Sequence, residues 1–185
     1  FKLYANAACA DGPGEMLAQG YRARLAALHD AFPPGARLLL LAMDYFHDDA
    51  GNAVPARTMF RVSDAYAQRT AAQHPQRFAW SASIHPYRRD CVEALEWAAA
   101  HGARAVKWIP SMLGIDPASP RCDRFYEALA RVDVPLITHA GEEHPLEGSA
   151  SPALNNPLAL RRALDHGVRV VIAHCASAGS GIDTD

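Results

Sequence analysis

An α/β fold of parallel βα units is what the sequence predicts, on three observations. Five apolar runs of strand length alternate with five segments that carry apolar residues at three- and four-residue spacing. The apolar runs are nearly continuous, the pattern of parallel strands covered on both faces. No GxGxxG follows any of them, which removes the main support for a doubly wound dinucleotide-binding sheet and favours closure into a barrel.

The first helical segment is 15–31, "EMLAQGYRARLAALHDA", and the first strand follows at 36–46, "ARLLLLAMDYF". A long insertion, 51–60, comes after that strand, and insertions of this kind belong on the functional face of an α/β barrel. Helix 63–74 starts at Ser63, a good N-cap, and leads to strand 77–84, "RFAWSASI". Helix 89–102 ends at Gly102, where a left-handed C-cap is wanted, ahead of strand 103–109, "ARAVKWI". Helix 122–132 has Asp123 in its first turn and precedes strand 134–140, "VPLITHA". Helix 157–167 closes on Gly167, and the fifth strand is 168–174, "VRVVIAH".

A chain of 185 residues that is 50% hydrophobic supplies one ordinary domain, read here as a single unit over 1–185. It is short of the roughly 250 residues of an eight-stranded barrel, so the barrel is expected to be incomplete in this chain. The net charge of -2 gives no attraction to nucleic acid or to an anionic membrane, and no stretch is long and apolar enough to be a membrane span. A small-molecule partner and a cytoplasmic location are the expectations, with a homo-oligomer as an open alternative to a monomer. Cys9, Cys91, Cys122 and Cys175 have no CxxC spacing, which argues against a disulfide framework or a structural zinc knuckle.

In a barrel the residue that closes each strand points to the common mouth, so polar residues at strand ends are the site candidates. Here they are Asp44, His85, Lys107, His139 and His174. His139 and His174 stand at matching positions 35 residues apart, about one βα unit, and neutral imidazoles on successive strands can converge on a divalent cation while leaving positions open for water. Such a cation lowers the pKa of bound water from about 15.7 to about 7. The plainer reading is that each histidine caps its strand and bonds to backbone or solvent. Glu142 and Glu143 follow His139 directly and are candidates for proton transfer or for orienting a ligand histidine, against a reading as solvated loop carboxylates. Asp44 also fits a loop cap.

The order "GARAVKWIPSMLGIDPASPRCDRFYEALARVDVPLITHAGEE", then "NNPLALRRALDHGVRVVIAHCAS", resembles the metal-dependent amidohydrolase superfamily, in its amidohydrolase-related branch, over roughly residues 77–178. The resemblance implies a distorted (β/α)8 TIM barrel with one or two divalent metals, commonly zinc. It implies hydrolysis of C–N, C–O or P–O bonds, with decarboxylases among the members. On it, "RLLLLAMD" (37–44) is strand two, His139 the strand-five metal ligand and His174 the strand-six ligand. Lys107, at the end of strand four, is a carboxylated metal bridge, an ammonium that orients substrate, or a lysine snorkelling to the rim. His85, Arg88 and Trp108 would line the substrate pocket.

The departures are specific: no His-x-His pair of a first strand is present, and strands seven and eight, with the Asp of the eighth, are not evident. The resulting expectation is a metal-dependent hydrolase whose activated water attacks an amide, ester or lactone carbonyl. Metal-dependent decarboxylation on the same fold is the alternative, and a non-catalytic barrel scaffold the second. A barrel missing strands exposes two sheet edges, so the chain is expected to be ordered beside further strands or a partner.

Overall fold

A computed structural model describes residues 14–141 and 152–176. In chain order the elements are α1 (Glu15–His29), β1 (Leu38–Leu41), α2 (Asp64–Gln73), β2 (Phe78–Ser81), α3 (Cys91–Ala100), β3 (Val106–Trp108), α4 (Pro110–Leu113), α5 (Asp123–Val132), β4 (Leu136–Thr138), α6 (Arg161–Asp165) and β5 (Val170–Ile172). β1 pairs with β2, β3 with β4 and β4 with β5, all parallel, and a parallel bridge from Ala82 to Val106 joins the two groups. Spatial order therefore equals chain order. That is barrel topology; a doubly wound sheet would reverse direction at a switch point.

Register fixes which side chains face inward. Trp108 stacks on Phe125 and pairs with Tyr126, both on α5, so Val106 and Trp108 face the helices and Lys107 between them faces the opposite side. Lys107 is level with Ile137, and Ile137 with Val171, while Ser83 is one residue past the Ala82–Val106 bridge. The inner face thus carries Ser83, Lys107, Ile137 and, two residues beyond Ile137, His139.

The core lies between sheet and helices. Trp80, Leu95, Val106, Trp108, Phe125, Tyr126, Leu129 and Leu136 are all buried there. On the inner face Leu41 is 47% and Val171 49% exposed. Among the described residues that face is open at its edge strands, β1 and β5, while Ser83, Lys107 and His139 between them are buried.

The helices start and stop largely where their punctuation says. The Ser63 hydroxyl accepts the Tyr66 N–H at 3.3 Å, Gly102 and Gly167 have φ of 80° and 77°, and Asp123 opens α5. The main difference is the last helical segment. Residues 157–160 form a 3-10 turn, and only Arg161–Asp165 is α-helical. The turn is set by Asn156, whose side chain accepts the Leu158 N–H at 2.8 Å ahead of Pro157. The four-residue α4, just after β3, has no counterpart in the sequence reading.

The insertion after β1 is an ordered excursion. It leaves and returns through an antiparallel bridge between Met43 and Val62, and Phe46 buries its ring beneath the Arg57 guanidinium, 3.7 Å from the ring centre. Gly51 sits at φ 80°, and a Cβ there would come within 2.1 Å of the Tyr87 carbonyl oxygen. Only glycine fits.

Candidate metal and substrate site

The β4 strand ends by handing its chain to the neighbouring strand: the His139 N–H donates to the Trp108 carbonyl at 3.0 Å, which locks His139 beside the end of β3. Its side chain is buried. His174 reaches the same place by a different route. Val171 faces inward, so alternation would give Ala173 the inner face and turn His174 towards the helices. The backbone instead enters the left-handed region at His174 (φ 43°) and Cys175 (φ 56°). Non-glycine residues adopt this at a cost of roughly 1–2 kcal/mol each. The result is that His139 Nδ1 and His174 Nε2 lie 2.8 Å apart, with ring centres at 4.6 Å. The expected convergence of the two imidazoles is present, with His139 buried and His174 exposed.

Two ligand nitrogens on a tetrahedral cation, each about 2.0–2.1 Å from it, would stand about 3.4 Å apart. The pair fits a divalent cation in donor type; at 2.8 Å the two ring nitrogens are hydrogen-bonded to each other, and they would part by about 0.6 Å to share a cation. Among the described residues no group of three or more His, Cys, Asp or Glu could hold a metal ion. Glu142 and Glu143 lie outside the described residues. Lys107 is buried on the inner face, on the strand next to His139.

The remaining candidates are placed elsewhere. Trp108 is on the helix side of the sheet, fully buried, its indole N–H donating to the Ile84 carbonyl at 2.9 Å. His85 is fully buried: Nε2 bonds to the Leu113 carbonyl at 3.0 Å, and Nδ1 accepts the Tyr87 N–H at 3.2 Å. Burial, with the neighbouring His47, pushes its pKa down to about 3, so the ring is neutral. Arg88 is held by protein carboxylates, at 3.0 Å from Asp44 and bidentate on Asp90 at 3.0 and 2.8 Å. Hydrogen bonding to Asp90 raises its pKa further. The structure thus brings Lys107, His139 and His174 to the inner side of neighbouring strand ends, and puts His85, Arg88 and Trp108 into the supporting frame.

That frame contains residues the sequence reading undervalued. Asp44, buried, accepts the Tyr45 N–H at 2.8 Å, the His85 N–H at 3.0 Å and the Arg88 guanidinium. Its own N–H donates to the Ser83 hydroxyl at 3.0 Å. Asn155, also buried, accepts the Ser111 N–H through its side chain and the Gly141 N–H through its carbonyl, tying α4 to the end of β4. A strand-end Asp and an Asn-Asn-Pro stretch are the local signals for both.

A family model described as amidohydrolase matches residues 11–182. The chain belongs to the amidohydrolase family. Among solved structures, an uncharacterized TIM-barrel protein from Bordetella bronchiseptica shares the fold with a TM-score of 0.62 at 15% identity, over 91% of this chain and 56% of that one. A 2,6-dihydroxybenzoate decarboxylase, solved with 2,6-dihydroxybenzoate, gives a TM-score of 0.53 at 16% identity, over 84% of this chain and 55% of the other. This amidohydrolase chain therefore spans a little over half the length of either structure. No curated protein matches it. No helix among the described residues is long and apolar enough to cross a membrane.

Proposed function

We propose that this amidohydrolase chain carries part of the active site of a metal-dependent hydrolase acting on an amide, ester or lactone carbonyl of a small molecule. The observation that carries the reading is the meeting of His139 and His174 at 2.8 Å from neighbouring parallel strands. These two imidazoles would hold the divalent cation, zinc in this proposal, with further donors from outside the described residues. When bound, the cation supplies Lewis-acid polarisation of a carbonyl oxygen and a nucleophile from water at neutral pH.

The chain's own residues do the rest. Lys107, buried on the inner face, orients the substrate's carbonyl or carboxylate by hydrogen bonds from its amine. Ile137 and Leu41 give an apolar wall on the same face. Glu142 or Glu143, directly after the ligand strand, takes up and returns the proton. Asp44 and His85 fix the ends of β1 and β2 so that this face keeps its shape.

Decarboxylation of a small carboxylate is the second reading, supported by the fold shared with the dihydroxybenzoate decarboxylase and by Lys107, which suits a carboxylate equally well. An assay of the intact protein on lactones, amides and aromatic carboxylates, with CO2 release followed in parallel, separates the two. Turnover of a carbonyl substrate without CO2 is the expected result. CO2 release from an aromatic carboxylate alone would move the assignment to the lyase, and no turnover of any class would favour the scaffold.

A further inference from the structure

The parallel ladder between β3 and β4 stops at His139. Trp108 is level with Thr138, and its carbonyl accepts the His139 N–H at 3.0 Å. A continued ladder would next join the Gly141 N–H to the Pro110 carbonyl, and an N–H at position 110 to the His139 carbonyl. Neither rung is made. Proline has no N–H, and the Pro110 carbonyl accepts the Gly114 and Ile115 N–H groups at 2.9 and 3.0 Å as the chain turns into α4. The His139 carbonyl accepts the Thr138 hydroxyl at 3.0 Å instead.

Asn155 takes the place of the missing rung on both strands. Its backbone carbonyl accepts the Gly141 N–H at 2.8 Å, where Pro110 would have done so, and its side-chain oxygen accepts the Ser111 N–H at 3.1 Å. The residue is 3% exposed, so water does not replace these bonds when they are lost. α4 is a firm anchor for that side chain: Pro110, Ser111 and Leu113 are buried, and the Leu113 carbonyl accepts from His85 Nε2 at 3.0 Å and from the His47 N–H at 3.4 Å. Gly141, at φ 90°, has no side chain to fix its direction. The backbone of His139 is therefore held by Trp108 on one flank and by Asn155 on the other.

We propose that Asn155 is a positioning residue for the metal pocket, acting through the backbone: it replaces the rung lost after His139 and so keeps that imidazole where it meets His174. The inference rests on the reading of the two histidines as a cation-binding pair. Without the Asn155 side chain, the carbonyl that receives Gly141 loses its hold on α4, and His139 is anchored on one flank only. An imidazole that has to be ordered as it binds grips a cation less tightly. The coupling runs both ways, so a bound cation favours the closed Gly141 and Ser111 bonds by the same factor.

The test is the zinc affinity of the intact protein, by competition with a chromophoric chelator, for wild type and N155A, beside the urea midpoints of the zinc-free forms. Zinc binding about tenfold weaker in folded N155A is the expected result. An asparagine that only stabilises the fold would lower the urea midpoint and leave the zinc affinity of the folded protein unchanged, and that result would overturn the proposal. A wild type that binds no zinc would instead remove the cation-pair reading, and this inference with it. If N155A fails to fold, amide exchange in the wild type decides. Zinc should raise the protection of the Gly141 and Ser111 amides several-fold, and unchanged protection would overturn the positioning role.

Discussion

Asp44 shows how a strand-end carboxylate can be taken up by the frame of the fold. Three donors converge on its carboxylate, and one is a guanidinium. Removing that acceptor leaves two N–H groups without their partner and takes one of the two carboxylates that hold Arg88; breaking a fully buried pair costs about 3–5 kcal/mol. Arg88 is only partly buried, with 24% of its side chain exposed, and keeps Asp90, so the loss falls below that range. D44A should therefore be destabilised by about 2–3 kcal/mol in urea denaturation, whereas D44N, which keeps one acceptor oxygen, should lose about half of that. Equal stability of D44A and wild type would show that the network contributes nothing to holding β1 and β2 together. His85 and Arg88 carry the same lesson. A sequence shows that a histidine closes an apolar strand, but not that its two nitrogens are already bonded to Leu113 and Tyr87.

At the scale of elements, the strands and helices were legible because period and punctuation agreed: Ser63, Gly102, Asp123 and Gly167 mark boundaries that the structure keeps. What the sequence did not reveal depends on long-range contacts. The helix expected at 157–167 became a 3-10 turn and one short helix because Asn156 caps ahead of Pro157. The fold of the insertion rests on Gly51, whose neighbour Tyr87 is 36 positions away and invisible to any local pattern. At φ 80°, with backbone oxygen 2.1 Å from the Cβ position, an alanine must displace the insertion or the loop after β2. G51A should lower stability by at least about 2 kcal/mol, read as a shift in the urea midpoint. A variant as stable as wild type would mean that the insertion does not pack on Tyr87.

For the whole molecule, parallel order without reversal made the barrel readable, and the spacing of His139 and His174 made their meeting readable. The left-handed backbone at His174 and Cys175, which produces that meeting, was not. Stability should also carry a pH signature from Asp64. Burial lifts its folded pKa to about 6, above the unfolded value of 3.8, so the folded state binds the proton more tightly. The stabilisation is fully present below about pH 4 and is lost as pH rises through about 6. Over that window the wild type should lose stability relative to D64N, as measured by urea midpoints at pH 4.5, 6 and 7.5. Parallel curves would remove Asp64 from the account.

The central claim is that two imidazoles from adjacent strands grip one cation. Metal content of the intact protein, purified without chelator and measured by elemental analysis for wild type, H139A and H174A, tests it most directly. At least about one equivalent of divalent metal per chain in the wild type, falling several-fold in both folded variants, is the expected result. A wild type below about half an equivalent, or variants that keep the full wild-type content, would contradict it.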